Sequence, residues 1–227
     1  IYDSAFKGNK AILSPSNFSS AYNFGSGGAI HFDSALAHHS VIIGRNEFSE
    51  NSATTMGGGL YTYNMWSNTL IMNSTFSKNY SGEGAGLYLG CQGNWSSGID
   101  LRMNTITDNY TTTTSGAGGG IYFNASCEDA TIMFANIVAQ NFSKNGPDCY
   151  TGSSTIVSAD NNLFGDINGC SISLASNDLY GDSTSSGILD PQLMALDYYP
   201  RSSNLRTHNP LSTSPVVDHV NVDCEAH

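Results

Sequence analysis

Apolar positions recur along this chain in short alternating bursts, and the bursts repeat. After each glycine run, Ile30, Leu60, Leu87 and Ile121 fall at one position, and Phe32, Thr62, Leu89 and Phe123 fall two residues later. Between them stand His31, Tyr61, Tyr88 and Tyr122. Alternation with a period of two predicts a half-buried strand, its aliphatic side chains turned inward and its His/Tyr side chains outward. A second burst follows each time: VIIGRNEF, LIMNSTF, IDLRMNTI and TIMFANIV. Here Ile43, Ile71, Leu101 and Met133 align, as do Phe48, Phe76, Ile106 and Val138. No stretch holds a helical period. Two strands and an expected third in every repeat predict one turn of a parallel β-helix, an all-β solenoid whose equivalent residues stack about 4.8 Å apart.

Polar punctuation marks the corners. F-x-x-N units begin at 48, 76, 106 and 138, spaced by 28, 30 and 32 residues, with an earlier FKGN at 6–9. Glycine runs open each new coil (GGAIH, GGGLY, GAGLY, GGGIY). Asn51, Asn79, Asn109 and Asn141 are expected to stack as a ladder, hydrogen-bonding to one another and to turn backbone. Asn also suits the left-handed conformation of a tight corner, and glycine does so at the opposite corner. Roughly five to six coils are expected over residues 1–186, with a long Ser/Asn/Tyr-rich insertion before Gly27. Residues 187–227 carry Pro191, Pro200, Pro210 and Pro215 and no repeat. Proline lacks the ladder amide, so this stretch reads as an irregular tail packed on the β-helix or capping it.

Composition narrows the class. Charged residues are only 12% and the net charge is −11, a surface that neutralises no phosphate and so argues against nucleic acid as partner. The longest apolar run, Thr131–Ala139, is far short of a bilayer span of about 20 residues, so this segment inserts in no membrane as a helix. The start at Ile1 reads as a processed piece of a longer secreted precursor. Five cysteines fit an oxidising compartment with two bridges and one thiol left over. Cys149 and Cys170 flank a loose last coil and form the first expected pair. Cys91 and Cys127 lie at similar places in adjacent coils and form the second, leaving Cys224 unpaired. Of seven N-x-[ST] sequons, Asn17 and Asn94 lie in loop-like stretches and are the expected glycan acceptors.

GGAI at 27–30 together with FKGN, FSEN and FSKN resembles the repeat pair of the polymorphic outer-membrane protein family. The tail, NNLFGDINGC through LDPQLMAL to THNPLSTSPVVD, resembles the terminal region of choice-of-anchor Q β-helix proteins. The resemblance implies a single right-handed, pectin-lyase-like β-helix. It also implies an exported, cell-surface or extracellular protein with a structural or adhesive role.

Chemistry is sparse by comparison. A polysaccharide lyase needs a base and a cation beside the uronate, and Arg45, Arg102 and Lys78 do not share one outward position. A hydrolase needs paired carboxylates. Asp33, Asp160 and Asp166 read as turn residues, and Asp100 with Arg102 reads as a surface ion pair. His38-His39 has no companion ligands at zinc spacing. No cofactor is expected, and nothing points to a calcium site. The column His31–Tyr61–Tyr88–Tyr122, with Tyr63 and Trp66 nearby, is the candidate binding strip, able to stack on a sugar ring or a partner protein; otherwise it is a self-supporting ladder under a loop. The expected function is therefore that of a non-enzymatic, extracellular structural or adhesive module, in sharper form one that stacks end to end into fibres. Its partners are other copies of itself, surface glycans or proteins. The alternative is a polysaccharide-active enzyme or a carbohydrate-binding module.

Overall fold

A computed structural model describes residues 1–12, 25–33, 40–63, 69–90, 98–124, 131–152, 155–199 and 204–219. The fold among these residues is an all-β solenoid without a helix, built of parallel sheets. One coil reads, in order, Leu60–Tyr63, Thr69–Met72, Thr75–Ser77 and Tyr80–Ser81, before a glycine turn returns the chain to Leu87–Leu89. Each segment pairs with its equivalents in the coils before and after. The Leu60–Tyr63 position gives a five-stranded Tyr sheet, the Thr69–Met72 position a six-stranded Ile sheet, and the Thr75–Ser77 position a seven-stranded Phe sheet. The Tyr80–Ser81 position gives a short sheet of only four strands.

The register agrees with the sequence alignment. Ile30, Leu60, Leu87 and Ile121 pair in succession, as do Ile43, Ile71, Leu101 and Met133. Their side chains fill the interior with Phe48, Phe76, Ile106 and Val138. Phe48 and Phe76 stack at 4.5 Å between ring centroids and Phe6 and Phe48 at 5.0 Å, one ring per coil. A fully buried side chain of this size contributes about 1.5–3 kcal/mol, so each coil adds its own increment of core.

Two polar columns run beside this core. In the first, the Oδ1 of Asn79 accepts from the backbone amide of Asn51 at 3.0 Å and from its Nδ2 at 3.0 Å. Asn109 does the same for Asn79 and Asn141 for Asn109, and each Nδ2 also donates backward to a carbonyl of the preceding coil. Asn9 extends the column at its start. The second column was not anticipated. It runs Ser4, Asn46, Ser74, Asn104, Asn136 and Asn162 in the same sense. Its sequence mark is an Asn two residues before the apolar residue that opens F-x-x-N.

The left-handed corner differs from expectation. The ladder Asn is not the left-handed residue; the residue before it is. Glu50, Lys78, Asp108 and Gln140 all have φ of 56–60°. Arg45, Asn73, Met103 and Ala135, with φ of 49–54°, take the same conformation ahead of the second column. Such a conformation costs an ordinary residue roughly 1–2 kcal/mol. The reason it recurs is that it aims the next amide along the axis, where it meets the Oδ1 of the following coil.

Both columns end on an acceptor. A terminal Asn would keep its donors without an acceptor in the next coil, and an aspartate supplies that acceptor. Asp178 occupies the next position after Asn162 and receives its amide at 2.9 Å. In the first column the acceptor is Asp148, only 7 residues after Asn141. Asp148 stands where earlier coils have Gly59, Gly86 and Gly120. A Cβ on Gly120 would come within 2.5 Å of the Asp148 carbonyl oxygen and 2.8 Å of the Asn141 Nδ2, so glycine is required there, although Ala29 fills the equivalent place in the first coil. Complete four-sided coils number about four, against the five to six expected, although the other sheets run on to five, six and seven strands. All four sheets coexist through four coils, after which the short sheet stops and the other three continue.

Cys149 and Cys170 form the expected disulfide, with 5.5 Å between Cα atoms. Cys91, Cys127 and Cys224 lie outside the described residues.

Replacing Asn109 with Ala strands the Asn79 amide and Nδ2 inside the protein. At about 1–3 kcal/mol for each unsatisfied group, urea unfolding is expected to show a loss of roughly 3 kcal/mol or more, and a loss under about 1 would deny the column its role. Burial pushes the Asp148 carboxyl up to about 7, against hydrogen bonds from Asn141 and Asp166 that favour the charged form. Its folded pKa thus exceeds its unfolded value, so the stability it confers is complete below about pH 4 and declines as pH rises to about 7. The slope is at most about 1.4 kcal/mol per pH unit. Denaturant titrations should show this slope in the wild type and its loss in Asp148→Asn.

Candidate functional site

The Tyr column does not form an exposed strip. Tyr61 and Tyr88 are buried, at 0% and 5% exposure, Tyr122 is half-buried, and only His31 at the start of the column is exposed. The rings stack on one another, with centroids 5.2 Å apart for Tyr61–Tyr88, 4.8 Å for Tyr88–Tyr122 and 5.3 Å for Tyr122–Tyr150. Coil spacing is the cause: one ring per coil puts each face against its neighbour, so no face is left for a ligand. His31 joins the stack 4.6 Å from Tyr61, and Tyr63 packs 6.2 Å from the same ring. Burial raises the Tyr61 and Tyr88 phenols far above their usual range, and Asn124 Nδ2 donates to the Tyr88 hydroxyl. Trp66 lies outside the described residues, as do Asn17, Asn94 and the His38-His39 pair.

The other chemistry-bearing residues occupy structural places. Asp100 accepts from Arg102 Nε at 2.8 and 3.0 Å, the surface pair read from sequence. Asp160 accepts from Asn177, and Asp166 from the amides of Asn168 and Ser183, both as turn residues. Among the described residues, no three His, Cys, Asp or Glu side chains are grouped to hold a metal ion.

The tail lies on a flank. Outward from the Phe sheet, Glu47 is buried at 2% exposure and accepts from the Arg206 backbone amide and Nε, each at 2.9 Å. Beside it, His208 bridges Met194 and Ser77. Its Nδ1–H donates to the Met194 carbonyl at 2.8 Å, which leaves Nε2 to accept from the Ser77 hydroxyl at 2.9 Å. Burial, aided by Lys78 and Arg206, keeps this imidazole below its ordinary pKa and neutral. A serine–histidine contact here has the form of a nucleophile and base, but both groups are buried beneath the tail and the histidine is oriented by a carbonyl. It fastens the strap. Burial acts to raise the Glu47 carboxyl, yet bonds from Arg206 and Ser49 outweigh it and hold the pKa below the usual value.

An accessible site exists where the short sheet ends. A groove of about 620 Å³ is lined by Tyr110, Phe142, Lys144, Pro147 and Ile188 together with Thr and Ser side chains. Phe142 and Ile188 are 65% and 68% exposed, and Tyr110 is 42% exposed. Tyr80 supports the platform, its ring edge-on 4.1 Å from that of Tyr110. The Phe142 amide and carbonyl are both used by the preceding coil, through Asn109 and Thr111. The site combines an apolar floor with hydroxyl side chains and one lysine. In the sequence only the ladder residue Asn141 and a loose last coil were legible here; the groove depends on the early ending of one sheet.

No protein-family model matches the chain, and no curated protein or solved structure matches it.

The strap is the testable element of this surface. Arg206→Ala leaves a carboxylate buried without its cation, which costs about 3–5 kcal/mol for a buried pair. Limited proteolysis should then cut within residues 190–210 while the coils stay intact. Equal resistance in wild type and variant would show that the pair does not hold the tail.

Proposed function

We propose that this chain is an extracellular or cell-surface β-helix of structural and adhesive character, without catalytic activity, and a relative of the polymorphic outer-membrane repeat proteins. The observation that carries the reading is the groove at the end of the short sheet. Exposed Phe142, Tyr110 and Ile188 beside hydroxyls, on a rod stiffened by two hydrogen-bonded columns, suit contact with another molecule. Exposed aromatic and aliphatic side chains clustered in one place are a common mark of a contact surface.

The flank is favoured over the end of the rod. Both columns finish on aspartates whose second oxygens return to their own chain, Asp148 to the Asp166 amide and Asp178 to the Ala175 amide. A further copy stacked on that end would find no free partner for its own asparagines. Fibre formation by axial continuation therefore draws no support from this end, and glycans or surface proteins become the preferred partners.

Immobilised protein should capture members of a panel of neutral glycans and surface proteins. Combined Phe142→Ala and Tyr110→Ala should weaken that capture by about thirtyfold, the effect of losing roughly 2 kcal/mol at a contact hot spot. Undiminished capture by the variant would remove the groove, and new chain ends released from any polysaccharide would overturn the non-enzymatic reading.

A further inference from the structure

The outward face of the Ile sheet carries a pattern that neither the core nor the groove uses. One outward column reads Ile42, Leu70, Asp100, Ile132 and Val157. The next reads Gly44, Met72, Arg102, Phe134 and Ala159. Ile42, Ile132 and Val157 are 39%, 40% and 37% exposed and Ala159 is exposed; Leu70, Met72, Asp100, Arg102 and Phe134 are half-buried, and Gly44 is buried. The Phe sheet lies beneath its strap and Tyr61 and Tyr88 are buried, whereas among the described residues this face is aliphatic and open beyond its first coil, where Tyr2 covers Gly44. Its middle holds one carboxylate and one guanidinium.

We propose that this face pairs with the same face of a second copy of the chain, side by side, about a two-fold axis parallel to the solenoid. Face-to-face packing requires an axis lying in the interface. An axis along the solenoid and between the two columns keeps every coil at its own height and exchanges the columns. Leu70 then meets Met72 of the second copy, Ile132 meets Phe134 and Val157 meets Ala159, while Ile42 meets the Tyr2 ring that covers Gly44. At the centre Asp100 meets Arg102, and Arg102 meets Asp100. Such an interface is isologous: each contact occurs twice. Sheets packed this way lie about 10 Å apart, the usual distance for interdigitating side chains.

An axis along the strands instead would set Asp100 on Asp100 and Arg102 on Arg102. The charge order thus selects one of the two symmetric arrangements. It also addresses repulsion. Each copy carries a net charge of −11, which opposes association over most of the surface. This face contributes one acid and one base, so two copies can meet here without adding like charges. The pairing does not depend on the adhesive reading, because the groove lies on the short sheet and stays free in the pair.

Light scattering after size separation, across a dilution series, tests the proposal on the full chain. The wild type is expected at twice the 24.1 kDa chain mass. Asp100→Arg places like charges in contact and should weaken the pair by about a hundredfold or more, since such contacts cost several kcal/mol. Arg102→Asp should do the same. The double exchange, Asp100→Arg with Arg102→Asp, preserves the complementarity and should restore the pair. Leu70→Lys should give a monomer with unchanged circular dichroism. A wild type of single-chain mass, a mass that grows without limit with concentration, or a dimer indifferent to Asp100→Arg would each overturn the proposal. Binding to the glycan panel is scored separately on the same variants, so loss of pairing and loss of adhesion are read independently.

Discussion

Everything in this molecule hangs on a carbonyl oxygen that accepts two N–H groups from the coil before it. In each asparagine column the Oδ1 takes the backbone amide and the side-chain amide of the preceding asparagine, while the Nδ2 reaches back to a main-chain carbonyl. A buried amide left without a partner would cost about as much as a core side chain contributes. The columns therefore fix the height and register of each coil before the hydrophobic interior adds its share. The left-handed residue ahead of each asparagine and the glycine opposite it follow from that demand. They are consequences of placing one amide, repeated coil after coil.

The same demand shapes the molecule's irregular part. When the first column ends on Asp148 at a position that had been glycine, the chain has no further asparagine to support on that side, and the short sheet stops. The missing strand leaves the groove beside Phe142 and Ile188. The tail then returns along the Phe sheet, where Glu47, Ser49 and Ser77 meet Arg206 and His208. Closure of the first column and opening of the groove meet at Asp148, whereas docking of the tail turns on a second carboxylate, Glu47.

Residue patterns disclosed the coil and its register because period-two alternation and stacking are local and repeat. Leu60, Leu87 and Ile121 each follow a glycine run directly, and Asn51, Asn79 and Asn109 each close an F-x-x-N unit or its variant. The second column escaped notice because Ser74 interrupts it and because its asparagines sit at strand entries, where a polar residue attracts no attention. Alternation correctly turned Tyr61 and Tyr88 away from the aliphatic core but carried no information about what lay above them, so ring-on-ring stacking and burial were not legible. Glu47 is a harder case. Its partner lies 159 residues away in a segment without repeat, and no periodic argument connects the two. The groove was equally hidden, since it arises from a strand that is absent.

The columns also give the rod an electrical direction. Each asparagine turns its carbonyl oxygen toward the start of the chain and offers N–H groups toward the end, so the amide dipoles in both columns add rather than cancel, much as peptide dipoles do along a helix. The partial positive charge gathers where the coils finish. Asp148 and Asp178 stand at those two points, which makes each the last acceptor of a whole column. A rod so arranged has unlike ends, and in a field or beside a charged surface it would take up one orientation in preference to the reverse.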